Sequence, residues 1–324
     1  MAAEIAAHSW EWIPETVYLG GGTPSGIDAA AFGEVLNGIP GRPWREATVE
    51  AAPGSFDRAK ADAWVRAGID RVSLGVQSFD KHELSRTGRR HDAAVVDRDV
   101  ELLQAAGILN INIDLIAGLP GQTEESWRGS VAAAVGLRVP HVSVYMLEVD
   151  DDSRLGSEIL LGGKKYGAMD VPSDDVTAEF YEFAVEELSR HGIERYEISN
   201  FAVKGSESLH NLKYWRREAY VGFGSDAHSF DGRARWQNPE SAAEYVERGA
   251  SRAEQVDADA VEEKFFVGLR MSEGVTADAA DWERFGGVFE RFLSGGMMER
   301  AGDRLRLTPR GIMVSNEVFQ EFIG

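Results

Sequence analysis

Asn110-Ile111-Asn112-Ile113-Asp114-Leu115-Ile116, followed by the helix-like stretch 123–136, sets the fold of this chain. The first segment is a short, nearly continuous apolar run, the pattern of a strand covered on both faces. The second opens with Thr123-Glu124-Glu125-Ser126, a capping hydroxyl with acids in the first turn. Similar β-type runs occur at residues 16–19, 46–51, 71–76 and 141–147, with a further candidate at 195–199. Helical stretches at 28–36, 57–67 and 93–106 separate them, the second with Asp57 at its cap. Such alternation implies parallel strands joined by helical crossovers, in a barrel or barrel-like sheet. Residues 150–171, rich in Asp, Gly and Lys, read as a long loop beside the strand ends, where barrel sites lie.

From about residue 239 the pattern changes. Residues 258–269 and 278–293 are helical in period and 304–308 form a short strand, which reads as helix, helix, β-wing and terminal helix. Two domains are expected, residues 1–238 and 239–324.

Composition narrows the chemistry. A net charge of −20 over 324 residues argues against a nucleic-acid partner, because phosphate binding rests on Lys and Arg. No apolar run approaches the length of a membrane span, and Met1-Ala2-Ala3-Glu4-Ile5 lacks the basic and apolar regions of a secretory signal. A cytoplasmic location is expected. Zero cysteines exclude disulfides, thiolate-held zinc and a cysteine-held iron–sulfur cluster from this polypeptide.

Several segments carry candidate chemistry. Gly20-Gly21-Gly22-Thr23-Pro24-Ser25 follows a strand directly, and three glycines let the backbone approach a ligand or make a tight turn. Glu50, Gln77, Asp114 and Tyr145 sit in or at the C-terminal ends of apolar strands, a shared position that suggests a shared ligand. Internal pairing, such as Asp114 with Arg89, is the alternative. His210-Asn211-Leu212-Lys213-Tyr214-Trp215 sets an imidazole among large aromatics, suited to ligation beside a planar group or to a structural hydrogen bond. His228, in a second glycine-rich turn, reads as a residue that fixes a loop.

Taken in order, Tyr18 to Ser25, Val49-Glu50-Ala51, Arg71 to Phe79, Gly88-Arg89-Arg90-His91, Asn112 to Thr123, Tyr196 to Phe201 and His210 to Trp215 resemble radical S-adenosylmethionine proteins related to oxygen-independent coproporphyrinogen III oxidase. The likeness spans nearly the whole chain. It implies an α/β fold, a partial (β/α)6 barrel with a small C-terminal α+β, winged-helix-like domain. By that resemblance Gly20, Gly21, Gly22 and Thr23 contact the methionine end of S-adenosylmethionine, and Glu50, Gln77, Arg89 and Asp114 bind the rest. The His210 to Trp215 stretch favours the haem-chaperone, HemW-like branch, with His210 as the haem contact and a haem-accepting apoprotein as partner. The alternatives are an oxidase-type enzyme or a cluster-free protein that binds haem or S-adenosylmethionine.

Two departures stand out. Members of this family open with a strand and a Cys-x-x-x-Cys-x-x-Cys loop that holds a [4Fe–4S] cluster, whereas this chain has no cysteine and reads from Met1 as the helix after that loop. The first strand and loop are therefore expected to be missing, through a natural truncation or a misplaced gene start, and no radical chemistry is expected. Ala52 stands where the family usually has Asn. A barrel without its first strand leaves residues 16–19 as an unpaired edge, which favours self-association.

Overall fold

The protein was analysed as a computed structural model that describes residues 1–148, 154–161, 163, 165–249, 256–257 and 260–323. After a short helix α1 (Ala2–Ala7), five strands alternate with helices. They are β1 (Thr16–Leu19), α2 (Ala29–Asn37), β2 (Glu46–Ala51), α3 (Arg58–Arg66), β3 (Arg71–Gln77), α4 (Lys81–Arg86), α5 (Ala93–Ala106), β4 (Asn110–Ala117), α6 (Glu124–Gly136) and β5 (His141–Met146). Each strand pairs in parallel with the next, from β1 to β5, as the alternating pattern requires. Side-chain caps start the crossovers: Asp28 accepts from Ala30 N at 2.8 Å, Asp57 from Lys60 N at 2.9 Å, and Thr123 forms a reciprocal box with Ser126.

Beyond β5 the structure departs from expectation. Residues 154–160 of the expected 150–171 loop form helix α7 (Arg154–Leu160), and Lys165–Asp170 make a 3₁₀ segment; residues 149–153, 162 and 164 lie outside those described. After α8 (Asp174–Arg190), only Arg195 of the candidate strand 195–199 lies in a strand, β6 (Glu194–Arg195), and residues 196–199 connect it to β7 (Asn200–Ala202). β7 pairs antiparallel with both β5 and β6, so the seven-stranded sheet runs β1-β2-β3-β4-β5-β7-β6. A two-residue strand and a turn carry too little periodicity to be told from one five-residue strand.

The strands are not apolar on both faces, a second correction. Val49, Val72, Leu74, Ile111, Ile113, Leu115, Val142 and Val144 are fully buried in one core with helix residues that include Trp64 and Trp127. The alternate positions are polar: Glu46, Thr48 and Glu50 on β2, Arg71 and Ser73 on β3, Asn112 and Asp114 on β4, His141, Ser143 and Tyr145 on β5. Side chains alternate across a strand, so these residues share the opposite face. Burying most of them is tolerable because they hydrogen-bond to one another, although Thr48 Oγ1 is buried without a hydrogen-bond partner. Asn112 donates to Ser73 Oγ and Asp114 Oδ1, both at 2.7 Å, while its Oδ1 lies 2.6 Å from His141 Nδ1.

The chain continues through α9 (Leu209–Trp215), β8 (His228–Phe230), β9 (Ala234–Gln237), α10 (Ala242–Arg248) and β10 (Val256–Asp257). Strands β8 to β10 make a small antiparallel sheet that the sequence pattern did not reveal. The C-terminal part holds α11 (Ala260–Gly268), β11 (Val275–Thr276), α12 (Ala279–Ser294), β12 (Met298–Ala301), β13 (Arg304–Leu307), α13 (Pro309–Met313) and α14 (Ser315–Gln320). The expected helix, helix and wing are present; Ala258, assigned to the first helix, lies outside the described residues. Backbone bonds Ile198 N to Arg270 O at 3.1 Å and Ser272 N to Tyr196 O at 2.9 Å tie this part to the barrel.

Candidate functional site

The glycine loop leaves the C-terminal end of β1 with Gly21 and Gly22 at φ +78° and +64°, a region that side chains with a Cβ rarely adopt. At Gly20 the constraint is space, since a Cβ there would lie 2.7 Å from Tyr18 Cε1 and 3.0 Å from Glu50 Oε1. The loop is fastened by its neighbours. Tyr18 Oη donates to Glu50 Oε1 at 2.7 Å, and Gly21 N donates to Glu50 Oε2 at 3.3 Å. Burial, with the Glu50 carboxylate beside it, pushes the Tyr18 phenol far above its ordinary pKa. Tyr18 is therefore a neutral donor. Thr23 caps a short 3₁₀ turn, Pro24–Gly26, by position alone.

Asp114 lies on the same face, two strands away. Burial raises its pKa to about 6 against opposing hydrogen bonds from Ser73, Ser143 and Asn112, with Glu50 adding repulsion. Glu50 also raises the Tyr18 and Tyr145 phenols, so these four groups share one electrostatic environment. Neither Glu50 nor Asp114 has a cationic partner among the described ion pairs. Arg89 does not pair with Asp114: its Nη1 donates to Gly75 O at 3.2 Å. Gln77 is held at φ +69°, strained for a residue with a Cβ, at a register break that ends β3. A Cβ on Gly75 would lie 3.1 Å from Gln77 Nε2 and 3.7 Å from Arg89 Nη1, so this glycine's backbone brings those two side chains together.

His210 stands on α9, against β1 rather than at the strand ends. Its Nδ1 lies 2.9 Å from Thr16 Oγ1 and its Nε2 2.8 Å from Tyr214 Oη. The ring stacks on Tyr18, with centroids 5.1 Å apart and planes at 20°. Burial lowers its pKa to about 4, helped by Lys213, so the imidazole is neutral at pH 7. The helix is seated by Glu46, which accepts from Ser208 Oγ at 3.1 Å, Leu209 N at 3.0 Å and His210 N at 2.9 Å. Arg71 balances this buried carboxylate at 3.8 Å.

A cavity of about 960 Å³ runs along β1 and is lined by Thr16, Tyr18, His210, Tyr214, Tyr220 and Phe223 among others. That volume lies in the range of small-molecule and cofactor sites. His228, expected to fix a loop, instead lies in β8 and lines the same cavity. A largely apolar wall with several aromatic rings and two imidazoles, His210 and His228, suits a flat apolar ligand with a metal at its centre.

The structure thus brings Gly20, Gly21, Glu50 and Asp114 together, joins Gln77 to Arg89 at the adjacent strand, and links His210 to the first group through Tyr18. Sequence reading missed Thr16, Tyr18, Glu46 and His141 as site residues. The signal was there, in the period-two polar alternation of strands 16–19, 46–51 and 141–146, hidden by short length and flanking apolar residues. A [4Fe–4S] cluster does not fit the residues present: there is no cysteine, and among the described residues no group of three or more His, Asp and Glu could hold a metal ion. S-adenosylmethionine fits better, because its sulfonium and ammonium charges would meet two carboxylates that lack a cation.

The radical SAM superfamily profile matches residues 1–134, and the HemN C-terminal domain profile matches residues 257–314. The heme chaperone HemW of Lactococcus lactis is 32% identical, over 95% of this chain and 84% of that protein. HemW of Bacillus subtilis is also 32% identical, over 96% of this chain and 86% of its own length. The solved structure of Escherichia coli coproporphyrinogen III oxidase (HemN), a radical SAM enzyme, superposes with a TM-score of 0.77 over 95% of this chain and 77% of that one, at 18% identity. That likeness is one of fold, and the oxidase reading is not favoured beside the chaperone relatives. A family of this kind implies S-adenosylmethionine and an iron–sulfur cluster. On sequence, fold and profile together, the chain belongs to the radical SAM family of HemW-like haem chaperones.

Proposed function

We propose that this chain binds haem in the cavity beside β1, with His210 as the haem contact, and passes it to an apoprotein in the cytoplasm. The observation that carries this reading is a neutral imidazole, held from both ring nitrogens and stacked on Tyr18, in the wall of a cofactor-sized cavity. S-adenosylmethionine would lie at the neighbouring strand ends, between the glycine loop, Thr23, Glu50, Gln77, Arg89 and Asp114. Tyr18 touches both seats, through its ring and through its hydroxyl. Residues 1–238 would carry both seats and residues 239–324 would buttress them. Because the chain supplies no thiolate, we assign it no reductive chemistry of its own.

Ferric haem titration of the protein and of His210→Ala tests the haem seat. Loss of the imidazole-ligated absorption bands in the variant is expected; identical spectra would remove His210 as ligand. Calorimetric titration with S-adenosylmethionine tests the second seat, where Glu50→Gln should weaken binding.

A further inference from the structure

We propose that Thr16 and Tyr214 are positioning residues that decide which nitrogen of His210 meets an incoming metal, Thr16 by fixing the tautomer and Tyr214 by covering the open lone pair. The proposal rests on the haem reading above. Each ring nitrogen has one hydroxyl partner, Thr16 Oγ1 at 2.9 Å from Nδ1 and Tyr214 Oη at 2.8 Å from Nε2. A neutral imidazole carries one N–H, so one hydroxyl must donate to it and the other must accept. The phenol is the stronger acid of the two hydroxyls and takes the donor role. Tyr214 Oη–H then points at Nε2, and Nδ1–H points at Thr16.

Two consequences follow from that assignment. The lone pair lies on Nε2, so that nitrogen would hold a metal, while Nδ1–H stays bonded to Thr16, the arrangement that orients metal-ligating histidines and raises their basicity. The phenol of Tyr214 covers that nitrogen and would have to give way to a metal held there. Its ring is held edge-on between His210 at 4.9 Å and Tyr220 at 4.6 Å, so removing the hydroxyl alone leaves the aromatic packing in place. Thr16 lies on β1, a strand fixed by four register pairs to β2, and cannot follow the imidazole if α9 shifts. The pair therefore acts as a fixed clamp on one nitrogen and a removable cover on the other.

The test uses the whole chain with ¹⁵N-labelled histidine, first without haem. Long-range proton–nitrogen spectra, assigned with His210→Ala, should show the Nδ1–H tautomer in the parent and in Thr16→Ser, and a mixture in Thr16→Val. Ferric haem titrations should then show Tyr214→Phe binding about 2–10-fold tighter, the worth of one neutral hydrogen bond, with the haem-free variant melting slightly below the parent for the same reason. Thr16→Val should bind more weakly and Thr16→Ser should restore affinity. An Nε2–H imidazole in the free protein overturns the proposal, as does a Tyr214→Phe variant that binds no tighter. If His210→Ala keeps the parent's haem spectrum, the haem reading fails and the cover role with it; the tautomer, measured without haem, separates that failure from an error in the hydrogen-bond assignment.

Discussion

At the scale of single residues, Asp114 and Glu46 are buried carboxylates with opposite logic. Asp114 has hydroxyl and amide donors but no cation, and its pKa rises to about 6. A carboxyl with a raised folded pKa holds its proton longer in the native state than in the unfolded chain. Its contribution is present at low pH and is lost as pH rises from about 4 to about 6. Asp114→Asn should therefore stabilise the protein at pH 7.5 by about 1–3 kcal/mol in urea unfolding, with no gain at pH 4. A cationic ligand reverses the preference for the proton. Affinity for S-adenosylmethionine should rise through pH 6 and lose that dependence in Asp114→Asn; a flat profile in the parent would detach Asp114 from the ligand. Glu46, by contrast, is paired with buried Arg71 and caps α9. Glu46→Ala leaves Arg71 without its carboxylate and should cost about 3–5 kcal/mol, measured by the same unfolding curves.

Among the elements, β1 is an edge strand of the main sheet. It ends the seven-stranded sheet, pairs only with β2 among the described strands, and offers its other edge to the cavity. Unpaired backbone beside apolar residues templates association. Sedimentation velocity should show self-association that grows with protein concentration, and a monodisperse monomer throughout would count against an open β1 edge. The strands β2 to β5 and the helices α2, α3, α5 and α6 were legible in the sequence because 6–14-residue segments, the helices with capped starts, carry their own period, while four-residue β1 was legible only beside the glycine turn that follows it. β6, β7 and the β8 to β10 sheet were not, since two- to four-residue strands are fixed by tertiary pairing rather than local pattern. The candidate site was legible only in part. Glu50 and Asp114 announce themselves as charges among apolar neighbours, whereas Thr16 and Tyr18 matter only because α9, almost two hundred residues later, folds back on them.

For the whole molecule, the two proposed seats share one polar strand face, with Tyr18 in contact with both groups of residues. A continuous hydrogen-bonded path also runs from Asp114 through Asn112, His141, Tyr196 and Ser208 to Glu46 under α9. Occupancy at the strand ends and at His210 should be coupled, and linkage makes that coupling reciprocal. Saturating S-adenosylmethionine should change haem affinity in the parent by about 5-fold or more, and His141→Phe should reduce that ratio. The central claim, that His210 is the haem contact in the cavity beside β1, is tested most directly by ligand rescue. Ferric haem is titrated into His210→Ala with and without free imidazole, and the complex is read by absorption and electron paramagnetic resonance. The account gives loss of the parent spectrum in the variant and its return with imidazole; a parent-like spectrum in His210→Ala without imidazole would contradict it.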